Sequence, residues 1–439
     1  MDKNKKIKKE YTAREAAFRS LMRLLRTDGY ANIETETSAA KYDLKEDDRA
    51  LYTALVMGVT GRAISLDWLV GQFSSRKPEK LDRDVLTVLR LGFYQLFFMD
   101  RIPDHAAVNE TVELAKNCCA RGAAVSGFVN AVMRSALRGR DKLKWPDPAL
   151  DRVSALSVRH SLPEWLVRLW LESYPDNAEA LMEYANSTPP LTLRANTLRT
   201  TAESLRDRIE ADGFKAEIHS DTPYAVTTDA SYNLLSEKYP GEFFVQDRAS
   251  QTASEAFGAE AGESILDACA APGGKSFYSA LRMNNDGKVI SCDIHKNKPA
   301  LIQEGAEALG ITIIKPIISD SSKSDERLKK QLFDRVLCDV PCSGLGVIAK
   351  KPDIRYKDKK QIDKLPEKQY AILENCSNYV RPGGILMYST CTLVSDENEG
   401  VAEKFTEKHP EFINISSRTL FPDTDGCDGF YFSIWKRNL

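Results

Sequence analysis

"SILDACAAPGGKS", residues 264–276, carries an apolar run into a turn of small residues that opens onto a helix. A short apolar run bounded by Gly and Pro reads as a buried strand. The small residues Ala270, Ala271, Pro272, Gly273 and Gly274 then let backbone amides come close to a ligand. The same strand, turn and helix alternation continues downstream. Candidate strands are "KVISCDI", "ITIIKPIIS", "DRVLCDV" and "GILMYST", with late ones near "EFINIS" and "GFYFSIW". Helices fit between them at "DKLPEKQYAILENCSNYV" and "DENEGVAEKFTEKH", the latter with Asp396 and Glu399 spaced as a capping box. From about Glu242 onward the chain therefore reads as a doubly wound parallel sheet. In such sheets ligands gather at the carboxyl ends of the strands, so the loops there are where chemistry is sought.

The turn ends in Gly-Lys-Ser, yet it is not a phosphate-binding P-loop, because Cys269 stands where that pattern needs its first glycine. The dinucleotide pattern GxGxxG is also absent, which excludes a dehydrogenase of that type. Asp293 ends the next strand, where a carboxylate can take both hydroxyls of a ribose. Asp320, at the end of the third strand in "IISDSS", would lie within reach of an adenine. A nucleoside cofactor without a pyrophosphate fits this set of residues.

Cys342, in "DVPCSGLG" (residues 339–346), follows the fourth strand, and Cys391, in "YSTCT", follows the fifth. Neighbouring strands lie about 4.8 Å apart, so adjacency would put both thiols on the rim of one pocket. The chain has 9 cysteines and 5 histidines without a CxxC pair, which disfavours a disulfide framework and a metal site. Cys292 and Cys338 sit inside apolar runs and read as small hydrophobes. Nucleophilic catalysis remains. Carbon 5 of a pyrimidine is a poor nucleophile, and a thiolate adding at carbon 6 turns the ring into an enamine that can take a methyl cation at carbon 5. A base must afterwards remove the carbon 5 proton, and the second thiol is a candidate base or relay. A thiol of pKa about 8.5 is scarcely ionised at neutral pH, so a nearby cation is needed and Lys275 is the candidate. The residues themselves leave open which cysteine attacks.

Upstream, "AREAAFRSLMRLL", "DRDVLTVLRLGFYQLFFM" and "AAVNETVELAKNCC" repeat apolar residues at helical spacing, with breakers at Lys77-Pro78 and Ile102-Pro103-Asp104. "LKWPDPAL", residues 143–150, reads as a linker, and "LTLRANTLRTTAESLRDRIEADG" with "FKAEIHSDTPYAVTT" as a small strand, helix and strand module. "FFVQDRASQTAS" opens the last part. Residues 1–150 carry 26 Lys and Arg against 20 Asp and Glu, and the remainder 35 against 43, an asymmetry compatible with a basic front that docks on phosphates. No apolar run approaches the roughly 18 residues of a membrane helix, and "MDKNKKIKKE" is followed by no apolar segment, so a cytoplasmic protein is expected.

The stretches "DRALYTALVMGVTGR", "LDWLV", "LRLGFYQLFFMDRIPDHAAVNETVELAK" and "GFVNAVMR" resemble the NusB-like fold. "DACAAPGGKS", "DVPCSGLGVIAKKPDIRY", "RPGGILMYSTCTL", "ENEGVAEKF" and "DGFYFSIWKR" resemble the RNA 5-methylcytosine methyltransferases that use S-adenosylmethionine. Together the two resemblances cover nearly the whole chain and match the RsmB (Sun) type acting on 16S ribosomal RNA, whose mark is of the cytosine(967)-C5 kind. They imply a multidomain chain: a NusB-like helical RNA-binding domain over 1–142, a linker with a small ferredoxin-like α/β module over 143–240, and a Rossmann-like methyltransferase domain over 241–439. They further imply that Cys391 is the nucleophile and Cys342 assists product release. Cys269, Ala270, Ala271, Pro272, Gly273, Gly274, Lys275, Asp293, Asp320 and Asp339 match cofactor positions, with Lys275 and Asp339 alternatively holding the cytosine edge. The implied partner is 16S ribosomal RNA, free or in a partly assembled small subunit, acted on by a monomer without metal. Arg248 and Arg355 are lesser candidates for RNA or cofactor contacts. "KKPDIRY" departs from the usual Arg-His-Pro-Asp opening. Two rivals remain: a non-catalytic NusB-like RNA-binding factor, and the same chemistry on transfer RNA or another ribosomal cytosine.

Overall fold

The computed structural model describes residues 11–439 apart from Asp28 and Lys330, so the basic opening "MDKNKKIKKE" lies outside the described residues. The chain forms two compact units. One comprises the described residues up to Ser187 together with Ile348–Tyr356, the other Thr188–Val347 with Lys357–Leu439.

The first unit is helical, as the apolar periodicity requires. Its opening helix, Ala13–Leu24, starts at a capping box in which Thr12 Oγ1 accepts the Glu15 N–H at 3.2 Å and Glu15 answers the Thr12 N–H at 3.3 Å. Ala13, Ala16, Ala17, Phe18 and Leu21 form its buried face. Helices Glu46–Gly61, Ala63–Phe73, Arg83–Phe98, Asp104–Cys118 and Gly122–Gly139 close around the same core, which includes Val108 and Ala115. Each fully buried Leu, Val or Phe there contributes about 1.5–3 kcal/mol. Three further helices, Arg152–His160, Glu164–Ser173 and Ala178–Tyr184, follow the "LKWPDPAL" stretch within this unit. No single described helix is long and apolar enough to cross a membrane.

Arg355, read from sequence as a candidate for RNA or cofactor contact, is a structural residue of this unit. It is 1% exposed, and its guanidinium donates to the carbonyls of Gly61 (2.5 Å), Ser161 (3.2 Å), Ala185 (2.6 Å) and Pro352 (3.0 Å) and to Asn186 Oδ1 (3.1 Å). A basic loop is thereby a buried anchor, because a planar fork of five N–H donors satisfies several orphan carbonyls at once.

The second unit holds two sheets. The smaller contains β1 (Leu191–Ala195), β2 (Ala216–His219), β3 (Thr222–Thr228) and β4 (Phe243–Val245) in the antiparallel order β2-β3-β1-β4, with helices Ala202–Ala211 and Tyr232–Lys238 packed on Leu193, Val226 and Phe243. This is the ferredoxin-like module. "FKAEIHSDTPYAVTT" is a hairpin within it, and "FFV" completes the sheet.

The larger sheet contains β5 (Ser264–Asp267), β6 (Lys288–Asp293), β7 (Ile314–Ile318), β8 (Phe333–Asp339), β9 (Val380–Thr390), β10 (Phe412–Leu420) and β11 (Phe430–Arg437) in the order β10-β11-β9-β8-β5-β6-β7. The pairings from β9 through β7 are parallel, and β11 runs against both of its neighbours. The sheet is therefore doubly wound with one reversed strand, which its aromatic-rich sequence did not reveal. β5 and β8 are neighbours whose chains leave toward opposite edges, which makes the gap between their carboxyl ends the topological switch point.

The expected capping box of Asp396 and Glu399 is not formed. The helix begins at Glu399 with Asn398 as its N-cap residue, and Glu399 instead accepts the Thr419 hydroxyl at 2.9 Å. Asp396 instead lies in a separate short turn, Ser395–Glu397, so the helix starts beyond it.

Candidate active site

The loop after β5 is tied to its neighbours by backbone and side-chain contacts. The Ala270 N–H donates to the Cys292 carbonyl at 2.8 Å, and Ser321 Oγ donates to the Ala268 carbonyl at 2.6 Å. These bonds bring the ends of β6 and β7, with Asp293 and Asp320, beside Cys269 to Gly274. Gly273 has φ +119°, and a Cβ there would sit 2.3 Å from the Phe277 ring, so only glycine lets the helix Gly274–Arg282 start at this point. The first amides of that helix lack intrahelical partners.

Asp293 is largely buried and accepts the His295 N–H at 2.8 Å. Asp320 accepts the Ser322 hydroxyl at 2.6 Å and pairs with Lys323 at 3.1 Å, contacts that hold its carboxyl below the usual range. Asp267 is fully buried, and burial pushes its carboxyl up to about 7 against the opposing bond from Ser276 at 2.7 Å. Its other oxygen, Oδ1, has no hydrogen-bond partner among the described residues.

Across the switch point, Lys275 Nζ donates to Asp339 Oδ2 at 2.8 Å and lies 5.0 Å from the centre of the Phe430 ring. Ser389 Oγ donates to Asp339 Oδ1 at 2.7 Å. Strand register explains this contact, since Asp339 on β8 stands opposite Ser389 on β9. The same register carries Cys342 and Cys391 to adjacent strand ends, with Sγ atoms 3.3 Å apart. That separation is far beyond the roughly 2.05 Å of a disulfide, and no disulfide joins any of the nine cysteines. The Cys342 thiol is pushed well up, first by its hydrogen bond with Cys391 and then by burial. Either sulfur can donate in this contact.

The ten predicted loop and acidic positions stand at or just beyond the carboxyl ends of β5, β6, β7 and β8, and the two cysteines just beyond β8 and β9. Arg248 does not join them. It forms a two-pronged ion pair with Asp221 at 2.8 Å and donates to Thr222 Oγ1 (3.1 Å) and to the Gly426 carbonyl (3.0 Å), holding β3 and the 426 turn together. Cys292 and Cys338 are fully buried in the strands, as their apolar surroundings implied. Ser389, Phe430, Gln369, Glu397 and Asn398 were not read from sequence as site residues. The stretches that carry the family resemblance contain Ser389, Glu397, Asn398 and Phe430, which was the available signal, whereas Gln369 reaches the site through tertiary packing.

The donor set suits a nucleoside with a short polar tail. The loop's lysine is committed to Asp339 rather than to a phosphate, the small residues expose helix-start amides, and Asp293 stands where ribose hydroxyls would be taken.

A Rossmann-like sheet with one reversed strand beside its last parallel one, carrying acidic side chains and a cysteine pair on its carboxyl rim, defines a methyltransferase. Comparison with known proteins specifies it further. The family model described as 16S rRNA methyltransferase RsmB/F matches residues 256–436, the NusB family model 11–138, and the RsmF/B-like ferredoxin-like domain model 162–234. The chain is 37% identical to the "Probable ribosomal RNA small subunit methyltransferase B" of Bacillus subtilis, over 98% of this chain and 99% of that protein. It is 32% identical to the "Ribosomal RNA small subunit methyltransferase B" of Vibrio cholerae, over 91% and 92% of the two chains. Among solved structures, PH0851 shares the fold with a TM-score of 0.80 at 23% identity, covering 98% of this chain and 100% of that one. NSun6 from Pyrococcus horikoshii, solved with the S-adenosylmethionine analogue SFG, does so with a TM-score of 0.57 at 18% identity, covering 63% and 98%. The chain belongs to the ribosomal RNA small subunit methyltransferase B (RsmB) family.

Proposed function

We propose that the chain methylates carbon 5 of a cytosine in 16S ribosomal RNA, of the cytosine(967) kind, with S-adenosylmethionine as donor and Cys391 as nucleophile. The observation that carries this reading is the 3.3 Å approach of Cys342 Sγ to Cys391 Sγ beside the Lys275–Asp339 pair. Asp293, Asp320 and the amides after Cys269 would hold the cofactor, which when bound supplies an electrophilic methyl group on a sulfonium. The thiolate of Cys391 uses its electron pair to bond carbon 6, and the carbon 5–carbon 6 π pair becomes available at carbon 5 for the methyl group. In the release step Cys342 takes the carbon 5 proton as it gives its own to the departing Cys391 sulfur. The carbon 5–hydrogen pair restores the ring double bond, and both thiols are regenerated. The Lys275–Asp339–Ser389 chain fixes one carboxylate at the rim to hold the cytosine edge.

The helical region 1–142 is assigned RNA binding, supported by its cationic excess and its NusB family match, and 143–240 and 241–439 the linking and catalytic roles. That no disulfide joins the nine cysteines suits a reducing cytoplasm.

Replacing each cysteine tests the reading. Cys391→Ser is expected to abolish methylation of a 16S transcript while the protein stays folded. Cys342→Ala is expected to accumulate a covalent protein–RNA species on a denaturing gel. Substantial turnover by Cys391→Ser would overturn the nucleophile assignment, and absence of the adduct in Cys342→Ala would overturn the release role.

A further inference from the structure

The two cysteines sit on different loops, and neither is held by its own strand alone. Cys342 is three residues beyond the end of β8, and Cys391 directly follows β9. Each is flanked by residues whose polar groups are gripped from one short turn, Ser395–Glu397, and the residue after it.

On the Cys342 side, Glu397 Oε2 accepts the Ser343 N–H at 2.9 Å and Gln369 Nε2 at 2.8 Å, and the same Gln369 nitrogen donates to the Pro341 carbonyl at 3.1 Å. The residues before and after Cys342 are therefore both fixed through one carboxylate. On the Cys391 side, Asn398 Oδ1 accepts the Thr390 hydroxyl at 2.5 Å and Asn398 Nδ2 donates to the Thr392 carbonyl at 3.0 Å. The residues before and after Cys391 are fixed through one amide. Ser343 Oγ and Thr392 Oγ1 close the gap between the loops at 2.6 Å.

The turn is itself anchored to the sheet. The Tyr388 hydroxyl on β9 donates to the Glu397 carbonyl at 2.5 Å. Glu397, Asn398, Ser343, Gln369, Thr390 and Thr392 are all fully buried, so none of these groups is positioned to contact solvent or RNA. A polar side chain without solvent is costly unless it is hydrogen-bonded. Burial pushes the Glu397 carboxyl up, its Oε1 has no partner among the described residues, and every polar bond of Glu397 and Asn398 described above converges on the cysteine loops or their anchor.

We propose that Glu397 and Asn398 are paired positioning residues of the reaction: Glu397 places the release thiol of Cys342, Asn398 places the nucleophile of Cys391, and their adjacency in sequence fixes the two sulfurs relative to each other. This rests on the roles assigned above to the two cysteines. It separates the effects of the two side chains. Loss of the Asn398 bonds frees the Cys391 loop and slows adduct formation, whereas loss of the Glu397 bonds frees the Cys342 loop and slows adduct breakdown. A displacement of about 1 Å at a reacting group costs on the order of a hundred-fold in rate.

The test follows formation and decay of the protein–RNA adduct by quenched flow and denaturing gel, with the full chain, S-adenosylmethionine and a radiolabelled 16S transcript. Asn398→Ala is expected to lower the formation rate by roughly a hundred-fold, and Glu397→Ala the decay rate by a similar factor. Glu397→Gln keeps an acceptor for Ser343 and Gln369, and is expected to restore decay to within about ten-fold of the parent. Affinity for S-adenosylmethionine, measured by calorimetry, should stay within two- to three-fold, roughly, in all three. Equal effects of the two alanine variants on both steps, or no rescue by Glu397→Gln, would overturn the proposal. Should an alanine variant not fold, Asn398→Asp, which keeps the acceptor for Thr390 and loses the donor to Thr392, and Glu397→Gln carry the comparison, and unchanged formation in Asn398→Asp would overturn it. If Cys391→Ser still forms the adduct, the failure lies in the nucleophile assignment and not in the clamp.

Discussion

Gly346 closes "DVPCSGLG", and replacing it with alanine tests whether the two cysteine loops are as tightly joined as described. Its N–H donates to the Cys391 carbonyl at 3.1 Å, and its own carbonyl accepts the Gly429 N–H at 3.0 Å. A Cβ on Gly346 would lie 1.9 Å from the Gly429 carbonyl oxygen and 3.0 Å from that of Cys391. The closest ordinary carbon–oxygen approach is about 3.3 Å, so the backbones must separate by roughly 1.4 Å. Both neighbouring atoms are backbone, which leaves no side chain to swing aside. Both hydrogen bonds would be lost or strained, a destabilisation of about 2 kcal/mol, or roughly 4–8 °C in Tm. The larger effect falls on catalysis, because relieving the clash with Gly429 moves Gly346, whose N–H holds the Cys391 carbonyl and which closes the Cys342 loop, and a shift of this size is worth about a hundred-fold in rate. Single-turnover methylation of a 16S transcript, with a thermal melt alongside, measures both. A Gly346→Ala protein that methylates within about two-fold of the parent would refute the proposed coupling of the loops.

Arg355→Met would strip the partners from several buried carbonyls, each worth about 1–3 kcal/mol, and is expected to destabilise the helical unit by at least about 3 kcal/mol in urea unfolding; a loss below about 0.5 kcal/mol would contradict the anchoring role. The native Asp267 carboxyl keeps its proton up to about 7 because of burial, whereas the unfolded carboxyl loses it near 3.8. The native state thus binds more protons across that window, and this group's contribution to stability falls as pH rises through it, by on the order of 1 kcal/mol per pH unit. Asp267→Asn should flatten that slope relative to the parent, and parallel stability curves would refute the assignment. Asp293→Ala is expected to weaken S-adenosylmethionine binding at least about ten-fold by calorimetry, as loss of a buried carboxylate–hydroxyl pair should; unchanged affinity would move the ribose elsewhere.

Much of this arrangement is legible in the sequence because it obeys local rules. The strand ends after Asp267, Asp293 and Asp339 are marked by apolar runs stopping at an acidic residue, and helices such as Ala13–Leu24 follow the spacing of their buried face. Direction is not written locally. "GFYFSIW" reads as a strand, yet only its pairing with Ser389 and its neighbours on β9 shows that it runs backward. Burial of charge is equally silent. Arg355 sits among lysines and reads as exposed until the carbonyls of Gly61 and Ala185, far away in sequence, are found around it. Glu397 reads as part of a helix start until the fold encloses it. The division of labour between Cys342 and Cys391 is not written in either residue: both are thiols just beyond strand ends with Sγ atoms 3.3 Å apart, and their roles come from the family resemblance.

The central claim is that Cys391 attacks a ribosomal cytosine. The most direct measurement is mass spectrometry of the full chain incubated with S-adenosylmethionine and a 16S transcript carrying 5-fluorocytidine, where fluorine at carbon 5 blocks the elimination. An RNA-linked peptide containing Cys391 is the predicted result, with the attached nucleotides giving the target. An RNA-linked peptide containing Cys342 instead, or no adduct while cofactor binding is intact and the parent methylates ordinary transcript, would contradict it.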